Sequence, residues 1–315
     1  MDGETWLAER TYHHSAFTLD ALLAAKGGTT VSLVLPALNE AATVGAVVTT
    51  FRALVEAGLV DELVVVDPGS TDGTDEVARA AGATVVYEAD VLPEQGRVRG
   101  KGEAMWKSLA ATTGDVVAWV DADIEGAGPE FVHGLLGPLL TEPEVQFVKG
   151  FYERPLTEGE VLKPTGGGRV TELVARPLLS MFWPPLSYVV QPLAGEQAGR
   201  REHLEALPFA ADYGVEIGLL IDTYDRCGLA CLAQVDLDRR VHRNHPVRKL
   251  GRASFVIQHT VLRRLVAEGR AQLTEDAATT LRQFRKVGDD YSSVAYDLPL
   301  LDRPPMRDLR PRPAR

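Results

Sequence analysis

Gly114-Asp115-Val116-Val117-Ala118-Trp119-Val120-Asp121-Ala122-Asp123-Ile124 decides how the rest of the chain is read. The apolar run from Val116 to Val120 has the length and composition of a buried strand, and it ends in two carboxylates two residues apart. Side chains on an extended backbone alternate between faces, so Asp121 and Asp123 present their oxygens to one side at the strand's carboxyl end. Carboxylates placed like this suit a hard divalent cation such as Mg²⁺ or Mn²⁺, which takes oxygen ligands and is commonly shared with the phosphates of a substrate. The pair alone is also what a solvated turn after a strand would contain, so its meaning rests on its surroundings.

On the N-terminal side, strands and helices alternate. Val31 to Leu35 is a β-rich run closed by Pro36, and Asn39-Glu40 opens a helical pattern through Val44, Val47, Val48, Phe51, Leu54 and Val55. Glu62 to Asp67 reads as a second strand, followed by the turn Pro68 to Thr74 and a helix. Ala83 to Tyr87 reads as a third strand, and a further helix runs from near Gly102 to Thr112. This alternation predicts right-handed crossovers and a mostly parallel sheet. Ligands of such sheets bind outside the carboxyl ends of the strands, where Pro36 to Glu40, Asp67 to Ser70 and Asp121 to Asp123 all fall. No Gly-x-Gly-x-x-Gly follows the first strand, which excludes a dinucleotide-dependent dehydrogenase. Gly96-x-x-x-Gly100-Lys101-Gly102 imitates a P-loop but is one residue short between its glycines, and Gly102 stands where the metal-binding hydroxyl belongs. Lys101 ahead of a helix N-terminus is equally consistent with a diphosphate neighbour and with an exposed loop.

Past Asp123, Val145 to Tyr152 reads as a strand, and a loop through Thr165 to Thr171 leads into an apolar helix with Leu173, Leu178, Leu179 and Phe182. Gly166, Gly167 and Gly168 leave backbone N–H groups open while Arg169 and Thr171 stand at the helix start, a pattern for phosphate or carboxylate recognition whose alternative is a plain flexible loop. Pro208 to Gly228 reads as a loop and a helix in which Glu216 and Asp222 interrupt apolar residues; each is either on an outer face or a buried catalytic group. Leu232 to Leu237 reads as a strand that could return His242 to the same sheet edge, to complete a metal site with Asp123. Two helices are expected over 250–264 and 274–286, and the Arg- and Pro-rich tail from Arg303 to Arg315 is expected to bury little. At the other end, Phe17, Leu19, Leu22 and Leu23 form an apolar helical face that Gly27-Gly28 ends. His13 and His14, being adjacent, are expected to point apart, which argues against a metal role.

Length and composition bound the function. The 315 residues suffice for one large domain or a domain with an extension. A formal net charge of -11 argues against nucleic acid as a partner while leaving room for a local basic pocket. No apolar run approaches the roughly 20 residues needed to span a bilayer, and the acidic N-terminus does not resemble a secretory signal, so a cytoplasmic protein with no membrane partner is expected. Cys227 and Cys231 are read as small apolar residues rather than a zinc pair or a disulfide.

Taken together, Val34-Leu35-Pro36-Ala37-Leu38-Asn39-Glu40, Val66-Asp67-Pro68-Gly69-Ser70-Thr71-Asp72 and Asp121-Ala122-Asp123 resemble the nucleotide-sugar-binding half of GT-A fold glycosyltransferases. Thr165 to Pro177, Tyr213 to Thr223 and His242-Arg243-Asn244 narrow this: they are similar to the actinobacterial glucosyl-3-phosphoglycerate synthases and their mannosyl-3-phosphoglycerate synthase relatives. The resemblance implies an α/β GT-A fold with a mostly parallel sheet flanked by helices and a C-terminal helical extension. It divides the chain into a leader (1–28), a nucleotide-sugar-binding half (29–150), an acceptor-binding and metal-completing half (151–248), and C-terminal helices and tail (249–315). It implies a retaining transferase that moves glucose or mannose from UDP-glucose, GDP-glucose or GDP-mannose to the 2-hydroxyl of 3-phosphoglycerate, with Mg²⁺ or Mn²⁺, and a homodimer.

By the same resemblance, Pro36, Ala37, Leu38, Glu40 and Ser70 hold base and ribose, with Lys101 near the nucleotide. Asp121 contacts ribose or donor sugar, Asp123 and His242 bind the metal, and Glu216 contacts the donor sugar. Gly168, Arg169, Val170 and Thr171 bind phosphoglycerate, with Asn244 close by. Pro68 stands where relatives often carry Ser. A nucleotidyltransferase is the competing enzyme class, but it requires a basic, glycine-rich loop directly after the first strand, and Pro36 to Glu40 is neither. A nucleotide-sugar sensor without catalysis leaves Asp123 and His242 without a purpose.

Overall fold

The computed structural model describes residues 1–153, 156–158, 161–163, 168–240, 247–298 and 300–309. Its centre is an eight-stranded sheet in the order Thr11–His13, Leu232–Arg239, Phe147–Glu153, Gln197–Arg200, Val116–Trp119, Val31–Pro36, Glu62–Asp67, Thr84–Tyr87. Every pairing is parallel except those of Gln197–Arg200, which runs antiparallel to both neighbours. Central strands of such a sheet are covered on both faces, which is why Val31 to Leu35 is apolar and buried almost without interruption. Alternation then sends Leu33 and Leu35 into a core with Phe51 and Phe131, and Val34 into a second core with Trp106, Trp119 and Phe209.

The N-terminal segment is built into this frame. Leu19–Lys26 forms the expected helix, with the Thr18 side chain accepting from the Ala21 N–H and Gly27 closing it at φ 52°. Upstream, Thr11–His13 extends the sheet beside Leu232–Arg239 and Trp6 is fully buried, its indole donating to the Leu232 carbonyl at 2.8 Å.

Several expectations are corrected. The helix expected to open at Asn39-Glu40 begins at Val44, because Thr74 Oγ1 and the Asp72 carboxylate accept from the N–H groups of Glu40 and Ala41 and keep this stretch as a loop. Val247–Ala267 is a helix, but the segment read as a second one is a hairpin of Thr280–Val287 and Asp290–Asp297. Gly288 at φ 63° closes a two-residue turn into the β-favouring Tyr291, Val294 and Tyr296, and strand pairing wins. The start of the tail is buried rather than loose: Asp302–Arg303 pairs with Phe209–Ala210, and Met306 is 2% exposed. Composition misled there because Arg303 meets the fully buried Glu103 at 2.6 and 2.7 Å, which makes its burial affordable. Residues 310–315 lie outside the described residues.

Cys227 and Cys231 form a disulfide, their Cα atoms brought to 6.1 Å by the turn through Gly228 that follows the Val215–Cys227 helix. His13 and His14 converge instead of pointing apart, since His13 ends a strand and His14 begins a 3₁₀ turn; both rings reach Asp238. Leu173, expected on an apolar helical face, is 77% exposed, in a π-helical turn that precedes the Arg176–Phe182 helix. Among the described residues no helix is long and apolar enough to cross a membrane.

Candidate active site

A cleft of about 1070 Å³ opens at the carboxyl edge of the sheet. The loop after Val31–Pro36 forms one wall. Asn39 sits at φ 58°, its side-chain oxygen accepting from the Thr71 N–H at 2.9 Å, while the Asn39 N–H donates to Ser70 Oγ at 3.0 Å. Asp67 ends the next strand and accepts from the N–H groups of Gly69 and Ser70 at 2.8 and 2.7 Å, so the two loops brace each other. Pro36, Ala37, Leu38 and Glu40 line the cleft; Ser70 lies behind them, supporting the loop.

The floor carries the charge. Val120 continues the central strand, its N–H donating to the Val34 carbonyl at 3.1 Å, and the chain then releases Asp121 and Asp123 into the cleft. Both carboxylates meet a single nitrogen, Arg240 Nη2, at 3.0 and 2.7 Å. Lys101, at the first position of its helix, donates to the other oxygen of Asp121 and lies 3.2 Å from Glu216. Glu216 stands in the first turn of Val215–Cys227, 5% exposed and facing the cleft, so of its two sequence readings the buried one holds. Burial opposes the charge on Lys101, but Asp121, Glu216 and Glu196 outweigh it and hold the ammonium above its usual range. Burial likewise opposes ionisation of Asp121, and Lys101 with Arg240 holds the carboxyl well below the usual carboxylate range.

Opposite this floor, Gly168 at φ 76° turns the chain into the helical stretch that carries Arg169, Val170 and Thr171, all lining the same cleft. The fold therefore gathers Pro36, Ala37, Leu38, Glu40, Lys101, Asp121, Asp123, Gly168, Arg169, Val170, Thr171 and Glu216 around one space. His242 and Asn244 lie outside the described residues.

Residues 32–184 match the family described as "Glycosyl transferase family 2". The chain is 52% identical over 310 residues to the glucosyl-3-phosphoglycerate synthase of Mycolicibacterium smegmatis, covering 98% of this chain and 100% of that one. It is similar, with a TM-score of 0.86 and 49% identity over 96% of this chain and 99% of the other, to the crystal structure of the Mycobacterium tuberculosis glucosyl-3-phosphoglycerate synthase in complex with Mn²⁺, UDP and phosphoglyceric acid. A second crystal structure of that enzyme, with Mn²⁺, UDP-glucose and phosphoglyceric acid, matches with a TM-score of 0.85 and 48% identity, again over 96% and 99% of the two chains. The chain belongs to the glucosyl-3-phosphoglycerate synthase family.

In this family member, sequence reasoning overlooked the support beneath the cleft. Arg240 also ion-pairs with the fully buried Glu196 at 2.9 Å and bonds the Tyr152 hydroxyl at 2.7 Å, while that hydroxyl donates to Glu196 at 2.6 Å. Lys149, buried beneath the floor, donates to the Ala194 carbonyl and the Gln197 side-chain oxygen at 2.6 and 2.8 Å; burial pushes its ammonium down to about 7. A Cβ at Gly195 would fall within 2.5 Å of both the Asp121 carboxylate and the Lys101 ammonium, so a side chain there would displace both from their pairing. The available signal was an Arg, a Lys and a Glu placed in or beside apolar strands, where charged residues stay only if paired.

Proposed function

We propose that this chain transfers glucose from UDP-glucose to the 2-hydroxyl of 3-phospho-D-glycerate with retention at the anomeric carbon, using Mg²⁺ or Mn²⁺. The observation that carries the reading is the sharing of one cleft by Asp121, Asp123, Lys101, Glu216 and the turn from Gly168 to Thr171. In this reading Pro36, Ala37, Leu38 and Glu40, braced by Ser70, hold base and ribose. Asp121 meets the ribose or donor sugar, and Asp123 and His242 hold the ion. Gly168, Arg169, Val170 and Thr171, with Asn244, hold phosphoglycerate. Asp123 offers oxygen and, with Asp121, already grips a cation, Arg240, so the carboxylate side of the site fits a hard divalent ion, to which an imidazole is a further acceptable ligand. Such an ion, bound to the donor, neutralises charge on the diphosphate.

Glycosyl transfer develops oxocarbenium character at the sugar while negative charge collects on the departing diphosphate. Lys101, fixed beforehand by Asp121 and Glu216, supplies a cation on the donor side without reorganising. Arg169 offers the acceptor's phosphate or carboxylate a permanently charged fork. In this reading Glu216, paired with Lys101, is an orienting acceptor for sugar hydroxyls, and the acceptor's hydroxyl proton passes to the departing phosphate. Identity near one half over the whole chain to enzymes crystallised with UDP or UDP-glucose favours the uridine donor over GDP-glucose or GDP-mannose. A homodimer is part of this reading, and light scattering measures the mass.

The test is product formation from 3-phosphoglycerate with UDP-glucose, GDP-glucose and GDP-mannose in parallel, each with Mg²⁺, Mn²⁺ or chelator. Transfer from UDP-glucose that chelator abolishes is expected. No transfer from any donor would overturn the reading, and release of pyrophosphate from a nucleoside triphosphate with a sugar phosphate would replace it with nucleotidyl transfer.

A further inference from the structure

At the outer flank of the sheet's carboxyl edge, away from the cleft, the N-terminal segment and the Leu232–Arg239 strand bring three potential ligands together. His13 Nε2 lies 3.0 Å from Asp238 Oδ1, and His14 Nε2 lies 2.6 Å from Asp238 Oδ2. These ligand atoms all fall within 4.8 Å of one another. We infer that His13, His14 and Asp238 form a second metal site, selective for a divalent transition ion of the zinc class.

The donor chemistry sets the selectivity. Two imidazoles and one carboxylate suit Zn²⁺ and its neighbours, whereas Mg²⁺ prefers oxygen and water. Zinc bonds of roughly 2.0–2.1 Å to nitrogen and oxygen in a tetrahedron put ligand atoms roughly 3.3 Å apart, so the ion enters after His13 and Asp238 part by about 0.3 Å and His14 and Asp238 by about 0.7 Å. The solvent side leaves a fourth position for water.

The surroundings hold the ligands ready. The Ser15 backbone N–H donates to His13 Nδ1 at 3.2 Å and the Ser15 hydroxyl lies 2.7 Å from the same nitrogen, so the ring is fixed in place; ligation through Nε2 then requires the ring proton to pass to Nδ1, where the hydroxyl accepts it. Asp238 sits at φ 62° within an irregularity of strand pairing between Asp236 and Arg239, its N–H donating to the Asp236 carboxylate at 3.0 Å. That extra residue turns its carboxylate towards the two rings. A third imidazole stands nearby: His133 is on the helix that packs against the His14 turn, and its Nε2 is buried without a hydrogen-bond partner among the described residues. An ion here pins the N-terminal segment to the strand that delivers Arg240, two residues beyond Asp238, to Asp121 and Asp123.

The experiment titrates the intact protein with Zn²⁺ alone as the added ligand, by calorimetry and by metal analysis after dialysis, with millimolar Mg²⁺ throughout. Wild type is compared with Asp238→Asn and with the double variant His13→Ala/His14→Ala. Asn tolerates positive φ, so Asp238→Asn removes the charged ligand with little cost to the backbone and serves even where the double variant folds poorly. Wild type is expected to bind one more Zn²⁺ per chain than either variant, or to bind it at least tenfold more tightly, and only wild type should gain melting temperature from Zn²⁺. Glucosyl transfer in Mg²⁺ should stay within twofold in Asp238→Asn. Equal zinc stoichiometry and affinity in wild type and Asp238→Asn would overturn the inference.

Discussion

Glu216 and Asp222 share one helix, six residues apart, and both interrupt an apolar run, yet the fold gives them opposite tasks. Glu216 faces the cleft beside Lys101. Asp222 takes two hydrogen bonds from Arg264 at 2.7 and 2.8 Å, and Arg264 reaches on to Asp302 at 2.7 Å. The wider clusters repeat the contrast, because Arg240 grips three carboxylates and Arg264 grips two. Around Arg240, Asp123 keeps 37% of its side chain exposed and lines the cleft; around Arg264, Asp222 keeps 11% and is not among the residues lining it. A buried arginine bridging several acids thus marks a structural tie as readily as a functional one. What separates the two is open space for a ligand on the acid side.

That contrast can be broken by substitution. Asp123→Ala is expected to lower kcat by about a hundredfold or more, because it removes a carboxylate from the charge-neutralising site, with melting temperature near wild type. Turnover close to normal at limiting Mn²⁺ would remove Asp123 from the proposed metal site. Asp222→Ala should act the other way: it leaves Arg264 paired with Asp302 alone, two of its buried donors unmet, and is expected to cost about 1–3 kcal/mol in chemical denaturation, with kcat per folded molecule unchanged. A stable but inactive Asp222→Ala would put the sealed cluster into the catalytic machinery and erase the distinction.

A smaller effect sharpens the division within the cleft. Arg169→Ala is expected to raise KM for phosphoglycerate by about tenfold to a hundredfold, the loss of one or two charge-assisted hydrogen bonds, while UDP binding measured by calorimetry stays near wild type. The reverse pattern would assign the Gly168 turn to the donor.

The same contrast explains what the sequence made legible. Central strands advertise themselves because both faces are covered, so Val31 to Leu35 and Val116 to Val120 are apolar throughout and the carboxylates at their ends stand out. Loop residues with local signatures, from Pro36 to Glu40 and from Gly168 to Thr171, could be read for the same reason. Glu196, Tyr152 and Arg240 could not, because their partners lie 44 and 88 residues apart in sequence and nothing local requires the pairing. The C-terminal hairpin is mostly exposed and carries no continuous apolar face to mark its strands, and the burial of Arg303 depended on Glu103, 200 residues away. Periodicity carries the frame and local chemistry carries the loops; the ionic links between distant segments appear only once the chain is folded.

The finest test concerns Asp212, which lies beside Glu216 at φ 56° and lines the cleft without joining either arginine cluster. Burial, and then repulsion from Glu216, pushes its carboxyl up to about 6. The folded chain therefore keeps this proton in a pH range where the unfolded chain has lost it. The resulting stability is complete below about pH 4 and fades as pH rises through 6. Asn adopts positive φ readily and mimics the protonated acid in shape, so Asp212→Asn should remove this component and flatten the stability profile between pH 4 and 6, by at most about 2 kcal/mol. Urea unfolding at several pH values reads the slope. If the variant's profile matches wild type, Asp212 is ionised in the folded cleft, and the floor holds one more negative charge than the arrangement of Lys101, Asp121 and Glu216 implies.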